Sequence, residues 1–356
     1  MRTSDLLKAW RKILKGESPS LSIEITRECP LRCPGCYAYD PAHLGGEITL
    51  RDLNDRKGDA LVSGVLEVVD RFKPLHLSLV GGDPLVRPRR RPRRKHQRLH
   101  LSLVGGDPLV RYRELEVLVP QLLQRDIHVQ IVTSAFRPLP PAWAGLANLS
   151  IAVSIDGLAP EHDKRRAPAT YARILKNIEG QNVTIHCTVT GPMMRLRPEY
   201  LAEFLAFWTP KPEIKRVWFS LFTPQIGDQL EEMLTSEERR RAINEMLVLR
   251  RKFPKLDMPE RLIRQFDSPP SGPADCVFAQ TTTTISADLR TEIGPCQFGG
   301  NPDCANCGCM ASMGLAAIAS AKVWGLIPVG ALFRASMKIG QAFGPGSIQP
   351  ELRILQ

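Results

Sequence analysis

A regular alternation of strand-like and helix-like segments runs through most of this 356-residue chain. The strand-like segments lie at residues 21–25, 75–80 or 99–104, 128–132, 149–155, 183–189 and 217–222. Strands that alternate with helices pair in parallel, because each helix returns the chain to the start of the next strand. Six such units are too few to close an eight-stranded barrel, so the sequence predicts an α/β fold with a partial (β/α)6 barrel.

The pattern predicts four regions along the chain. They are an N-terminal amphipathic helix (1–20), the barrel core (21–230, with a duplicated insertion around 88–111), a helical connector with a Pro-rich linker (231–275) and a Cys-rich extension (276–356). Thr235 and Glu238 form a capping box that marks the start of the connector helix.

Two identical copies of one 13-residue segment, at 75–87 and 99–111, flank a basic run at 88–98. The run holds seven of the charges behind the net charge of +11, so the basicity is local and does not favour a nucleic-acid partner. Only one copy can supply the strand, and the duplication is either a local insertion or an error in the gene sequence. We expect the second copy to be the strand, because this keeps the basic run away from the ligand-binding edge of the sheet.

Cys29, Cys33 and Cys36 follow the first predicted strand directly. Ligands of such sheets bind at the carboxyl ends of the strands, which is where this loop falls. Three thiolates at this spacing can each bind one iron of a [4Fe–4S] cluster and leave the fourth iron open. His43 could instead complete a Cys₃His zinc site, and both interpretations stand at this point.

A second group of cysteines closes the chain, with five thiols in 34 residues at Cys276, Cys296, Cys304, Cys307 and Cys309. Thiolates this close in sequence repel one another unless a metal neutralises them, so we expect an iron–sulfur or a zinc site. The favoured ligands are the first three cysteines with either of the last two. Cys187 stands alone within a strand and is interpreted as a small buried residue.

Three motifs give the sequence a family resemblance that spans about residues 21–225. The loop around Cys29, Cys33 and Cys36 resembles the signature of the radical S-adenosylmethionine (radical SAM) superfamily. The segment Gly105, Gly106 and Asp107, or its duplicate Gly81, Gly82 and Asp83, is similar to the family's GGE motif, with Asp replacing Glu. The segment 153–157, followed by His162, Asp163, Arg165 and Arg166, resembles the family's fourth-strand motif.

The resemblance implies an enzyme that cleaves S-adenosylmethionine reductively at a [4Fe–4S] cluster, giving methionine and a 5′-deoxyadenosyl radical. It assigns cofactor contacts to the Gly-Gly-Asp segment, Ser154, Asp156 and Arg165, and it implies a reducing partner such as flavodoxin or ferredoxin. The cysteines of the extension resemble SPASM or Twitch extensions, which bind an auxiliary [4Fe–4S] cluster, although the gap between the first two is longer and only five are present. We expect a monomer.

The resemblance leaves the substrate open. The extension favours a peptide or protein by analogy. A lipid or small metabolite at a membrane surface is the alternative, because Leu6, Leu7, Trp10, Ile13 and Leu14 form an apolar helix face flanked by basic residues, with a faint likeness to the hopanoid-adenosylating branch. A third interpretation is a zinc protein that binds nucleic acid. The chain has neither a secretory signal pattern nor an apolar run of the roughly 18 residues that a span needs, so we expect a cytoplasmic protein.

Overall fold

A computed structural model describes residues 3–31, 33, 35–36, 38, 42–46, 48–82, 100–101, 107–323 and 326–343. Its strands are β1 (Ser20–Arg27), β2 (Gly35–Cys36), β3 (His76–Gly82), β4 (His100–Leu101), β5 (His128–Thr133), β6 (Leu149–Ile155), β7 (Val183–Val189), β8 (Ile214–Leu221), β9 (Thr282–Ile285), β10 (Lys322–Val323) and β11 (Ile327–Pro328). Its helices are α1 (Thr3–Leu14), α2 (Gly58–Phe72), α3 (Tyr112–Leu123), α4 (Ala159–Arg166), α5 (Tyr171–Asn177), α6 (Gly191–Leu196), α7 (Tyr200–Trp208), α8 (Ser236–Lys252), α9 (Glu260–Ile263), α10 (Val277–Thr281), α11 (Met310–Ala319) and α12 (Val329–Phe343).

Within these described ranges, seven strands form one parallel sheet in the order β8-β7-β6-β5-β3-β1-β9. β8 and β9 form its two edges, so the sheet is open. This confirms the predicted α/β fold with a partial barrel. Because all seven strands run in the same direction, their carboxyl ends lie together on one side of the sheet. A site on that side can use residues from several of the loops that follow the strands.

Strand β1, at the centre of the site, alternates between an apolar and a polar face. On β1, Leu21, Ile23 and Ile25 join the apolar core with residues of α2, whereas the intervening residues are buried and polar. These polar side chains belong to Ser22, Glu24 and Thr26. Parallel sheets covered by helices on both faces read as continuous apolar runs. Here one face is polar, so it offers hydrogen-bonding groups beneath the site.

The seventh strand, β9, was not among the predicted elements. It comes from the C-terminal extension and pairs in parallel with β1, from Ser20 opposite Thr282 to Ile23 opposite Ile285. The four residues Thr-Thr-Thr-Ile carry neither apolar alternation nor length, which is why the sequence pattern gave no signal. The Cys-rich extension therefore contributes to the sheet of the core.

The expectation that the second repeat copy forms the strand is wrong, because β3 belongs to the first copy and lies between β1 and β5. The physical reason is the short connection. Helix α2 ends at Phe72, Lys73 caps it in the left-handed conformation (φ 45°), and β3 begins three residues later. The basic run 88–98 lies outside the described residues.

The second copy contacts the chain directly after the point where the first copy stops pairing with β1. Gly82 pairs with Arg27, and the backbone N–H of Asp107 donates to the carbonyl of Glu28, the next residue along (3.5 Å). Gly82 and Asp107 therefore contact two successive residues, Arg27 at the end of β1 and Glu28 just after it, as consecutive residues of one strand would.

We expect deletion of residues 83–106, which joins Gly82 to Asp107, to leave the fold intact. The deletion shortens the connection between Gly82 and Asp107, and a shorter connection costs less entropy to close, so the free energy of unfolding should stay the same or rise by up to about 3 kcal/mol. Urea unfolding followed by circular dichroism measures this change, and a variant with an equally long Gly/Ser loop should match the parent. Loss of a cooperative transition in the deletion variant would show that the segment contributes to the core.

The two ends of the described chain meet. Helix α1 packs against α12, where a Cβ atom at Gly340 would lie 2.2 Å from the carbonyl oxygen of Ile13. Ile13 is buried there, which is the packing role expected for an amphipathic terminal helix. Across the described ranges, none of the helices combines the length and apolar character that crossing a bilayer demands.

Candidate active site

The first thiol group lies just beyond the carboxyl end of β1. Cys29 is buried, and Cys33 and Cys36 are partly buried. Burial raises the pKa of all three thiols, and neighbouring thiols contribute at Cys29 and Cys36; the pKa of Cys36 reaches about 12. Without a cation the group is therefore neutral, and a metal centre is what would stabilise its thiolate form.

The ring of His43 contacts a carboxylate and a backbone carbonyl. Its Nε2 contacts Oε1 of Glu24 (3.0 Å), and its Nδ1 contacts the carbonyl oxygen of Phe298 (2.9 Å). Both ring nitrogens are thus engaged, and in the described part of the chain no three His, Cys, Asp or Glu side chains are grouped to hold a single metal ion. The structure does not support His43 as the fourth ligand of a Cys₃His zinc site.

The end of β6 presents a buried charged pair beside this group. Ser154 and Asp156 are buried, and Oδ2 of Asp156 accepts hydrogen bonds from Nε of Arg166 (2.7 Å) and Nε of Arg165 (3.2 Å). Burial alone would raise the pKa of Asp156, but the two guanidinium groups outweigh it and lower the pKa. Asp156 is therefore ionised at neutral pH.

His162 fixes helix α4 against this strand end. The backbone N–H of Asp156 donates to His162 Nδ1 (3.0 Å), so the ring proton sits on Nε2, which donates to the carbonyl of Ala169 (2.8 Å). Burial lowers the pKa of His162 to about 4, so the ring is neutral. Its role is to hold the two arginines of α4 in place.

The two arginines differ in what they can bind. Arg165, the residue expected at the cofactor, keeps its side chain 18% exposed and pairs with Glu232 (3.1 Å). Arg166 is 2% exposed, and the carboxylate of Asp156 raises its pKa against the effect of burial; the guanidinium also lies near Cys33 and Cys29. Among the described residues, Nη2 of Arg166 is buried without a hydrogen-bond partner. Arg166 is thus the arginine with a spare donor beside the thiols.

Asp107, in the second copy of the repeat, is held in place by hydrogen bonds to its carboxylate. Its buried carboxylate accepts hydrogen bonds from the backbone N–H groups of Leu109 (3.0 Å) and Ser134 (2.8 Å), and from the hydroxyls of Thr133 and Ser134. The side chain is saturated by protein donors, so this segment has only backbone to offer a ligand. Gly81 and Gly82 lie in β3, whereas Asp83, Gly105 and Gly106 lie outside the described residues.

A buried ion cluster that the sequence did not indicate braces the residue before Cys29. Nη2 of Arg111 contacts Asp55 (2.5 Å) and Glu28 (3.0 Å). These residues are far apart in sequence and belong to no local pattern, so only the fold brings them together. The cluster fixes the point at which β1 passes into the cysteine loop.

The second thiol group surrounds one cavity. All five cysteines of the extension line it, together with side chains such as Phe298 and Ser312. Burial, with a smaller contribution from the neighbouring thiols, raises the pKa of Cys296 to about 12 and of Cys307 to about 11. The fold therefore brings together every cysteine that the sequence grouped, and the donor set suits a thiolate-bound metal centre.

Gly308 docks this group onto the sheet. A Cβ atom there would lie 1.9 Å from the carbonyl oxygen of Leu221, and the N–H of Leu221 donates to the carbonyl of Gly308 (2.9 Å). Since Leu221 ends β8, the second group lies at the same edge of the sheet as the first. Side-chain donors that the sequence did not reveal surround it: Gln297 donates to Cys309 Sγ (3.4 Å), and Arg239 to the carbonyl of Cys307 (2.7 Å).

Cys187 belongs to neither thiol group. It is buried on β7 among apolar residues, as expected for a small core residue. Burial raises the pKa of its thiol, which keeps it protonated.

The family model of the radical SAM superfamily matches residues 23–207 of the chain. This range contains the first thiol group, the repeat and the Asp156–Arg166 pair. No curated protein matches the chain in sequence.

Solved structures share the fold at low sequence identity. SuiB of Streptococcus suis bound to the precursor peptide SuiA is similar over 80% of this chain and 61% of its own, with 14% identity and a TM-score of 0.51. Native anSMEcpe with bound AdoMet is similar over 83% of this chain and 80% of its own, with 15% identity and a TM-score of 0.52. The chain thus spans less than two thirds of the length of SuiB.

Proposed function

Because the chain belongs to the radical SAM superfamily, whose members use a [4Fe–4S] cluster and S-adenosylmethionine, we propose that Cys29, Cys33 and Cys36 hold that cluster. The observation that carries the proposal is the buried group of three thiols beside the unsatisfied donor of Arg166. When bound, the cluster supplies the electron that splits the sulfur–carbon bond of S-adenosylmethionine. A flavodoxin or ferredoxin is the proposed reductant.

The residues of the chain bind and orient the cofactor. The unpaired Nη2 of Arg166 donates a hydrogen bond to the carboxylate of the cofactor. Asp156 fixes the orientation of the guanidinium by accepting a hydrogen bond from its Nε. Arg165 supports Asp156 from the more exposed side. Ser154 and the backbone of the Gly-Gly-Asp segment, which Asp107 anchors, complete the proposed binding surface.

For the second thiol group we propose an auxiliary [4Fe–4S] cluster. Four of the five cysteines suffice for such a cluster, and all five line one cavity. Gln297 and Arg239 supply hydrogen-bond donors beside it, which stabilise the negative charge of bound thiolates.

We propose a peptide or a protein segment as the substrate. Two observations support this class: the extension docks at the same edge of the sheet as the first thiol group, and similar folds have been solved with peptides, namely SuiB with its precursor peptide and anSMEcpe with the Cp18Cys peptide. Ligands of open α/β sheets bind outside the carboxyl ends of the strands, where both thiol groups lie.

Anaerobic reconstitution tests the proposed function. We expect about eight iron and eight sulfide per chain, because two [4Fe–4S] clusters bind, and absorbance near ~400 nm. With dithionite, the protein should convert S-adenosylmethionine to methionine and 5′-deoxyadenosine, which chromatography measures. About four iron with bound zinc would refute the auxiliary cluster, and no cleavage by a fully loaded protein would refute the function.

The same reaction tests the substrate class. Deuterated peptides from a proteome digest should transfer deuterium to 5′-deoxyadenosine, which mass spectrometry detects, whereas a deuterated lipid extract should not. Transfer from the lipid extract alone would contradict the peptide proposal and leave the cleavage reaction standing.

A further inference from the structure

A line of buried hydrogen bonds joins the loop of the first thiol group to the C-terminal extension. Glu24 of β1 contacts His43 through Oε1 (3.0 Å) and accepts a hydrogen bond from Ser286 through Oε2 (2.8 Å). The other nitrogen of His43 contacts the carbonyl oxygen of Phe298 (2.9 Å). We call Ser286, Glu24, His43 and Phe298 the cross-tie. Glu24 and His43 are each only 1% exposed.

The chemistry of these contacts leaves little freedom. A carbonyl oxygen only accepts, so Nδ1 of His43 carries a proton. Nε2 and the carboxyl oxygen of Glu24 must then share one further proton, either as an imidazolium with a carboxylate or as a neutral ring with a carboxylic acid. Both states are neutral overall, so the pair can stay buried at modest cost, while removal of either partner leaves a polar group unsatisfied.

Each end of the cross-tie reaches one thiol group. His43 follows Cys36 by seven residues, and Glu24 lies on β1, the strand that leads into the cysteine loop, five residues before Cys29. At the other end, Phe298 follows Cys296 by two residues and lines the cavity of the second thiol group.

The backbones also interlock at this point. A Cβ atom at Gly299 would lie 2.1 Å from the carbonyl oxygen of His43, and both Gly299 and Gly300 have positive φ (65° and 59°). Glycine is therefore required for the approach. A shift of the segment after Cys296 would press directly on the backbone of His43.

We propose that the cross-tie makes His43 and Glu24 positioning residues that couple the two sites. A cluster in the second site fixes Cys296 and hence Phe298, and the hydrogen bond to His43 passes this order to the loop of Cys29, Cys33 and Cys36. Loading of the second site thereby favours the geometry that the first site needs, and the coupling is reciprocal. The inference rests on the proposed auxiliary cluster.

The test uses the full chain with Cys29, Cys33 and Cys36 all changed to Ala, which can load only the second site. Hydrogen–deuterium exchange of peptides covering residues 31–46 is compared before and after anaerobic reconstitution. We expect exchange in these peptides to slow by at least about 5-fold on loading, the lower end of typical coupling. With His43→Leu added, the same loading should slow exchange less than about 2-fold.

Glu24→Gln is the matched control. Its amide nitrogen can donate to Nε2 of His43 and its amide oxygen can accept from Ser286, so both links survive and the slowing on loading should persist. Glu24→Leu breaks the same link from the opposite side and should behave like His43→Leu, so that a folding defect in one variant does not decide the result.

Iron content separates the possible failures. If the second site holds about four iron and exchange at 31–46 does not respond, or responds equally in the His43→Leu chain, the coupling is overturned and the auxiliary cluster stands. If the second site takes up no iron, the auxiliary cluster itself is overturned, and the coupling with it.

Discussion

Replacing Cys33 by Ala should reduce cleavage of S-adenosylmethionine to the background of the cluster-free protein. In the proposed site Cys29, Cys33 and Cys36 would each bind one iron of the cluster, and a loop with only two of these thiolates would not hold it stably. Anaerobic chromatography of 5′-deoxyadenosine measures the loss, and iron analysis should show that the second thiol group still loads.

Cys187→Ala is the matched control for this experiment. It removes a buried thiol from β7, in neither thiol group, and should leave both iron content and cleavage unchanged. Cleavage at the parental rate by a reconstituted Cys33→Ala protein would contradict the assignment of the first site.

Asp156→Asn should lower the free energy of unfolding by about 3–5 kcal/mol, because it leaves the buried guanidinium of Arg166 without its counter-charge. Asp70→Asn makes the same chemical change in the exposed pair with Arg125, and its effect should be much smaller. Urea unfolding of the two variants and the parent at neutral pH measures the difference. Equal effects of the two substitutions would show that the Asp156–Arg166 pair is not the stabilising unit.

The pH dependence of this difference has a definite sign. Arg166 and Arg165 hold the pKa of Asp156 below its ordinary value despite burial, so the ionised carboxylate stabilises the fold wherever it is charged. The contribution is complete above the unfolded-state pKa of about 4 and is lost as the pH falls through the lower folded-state value. The difference in the free energy of unfolding between the parent and the Asp156→Asn variant should therefore be constant near neutral pH and decrease below about pH 4.

The sequence pattern predicts the repeating units of the fold well. The strands at 149–155 and 183–189 have the bounds of β6 and β7, because apolar side chains there must meet the helices of the core. Thr235 and Glu238 form the predicted capping box at the start of α8. β9 was missed because its four residues gain their place from pairing with β1, a contact that no local pattern encodes.

In the candidate site, too, features set by local sequence were predicted and features set by distant contacts were not. The spacing of the cysteines indicates both thiol groups, since the cysteines of each group are close in sequence. It does not indicate that His43 points to Glu24, because that contact exists only once the extension is in place. Nor does it separate Arg165 from Arg166: neighbours on a helix differ by about 100° in direction, and the docking of α4 on His162 decides which one faces the thiols.

The pairing of β9 with β1 has a consequence for how the chain is made. Ser20 and Thr282, which pair, stand 262 residues apart, so at usual rates of synthesis β1 waits roughly 15–50 s for its neighbour. During that time one side of β1 presents unpaired backbone groups, the kind of edge that recruits other strands. The ribosome-bound chain should therefore depend on chaperones until its C-terminal extension emerges, and truncations before residue 285 should aggregate.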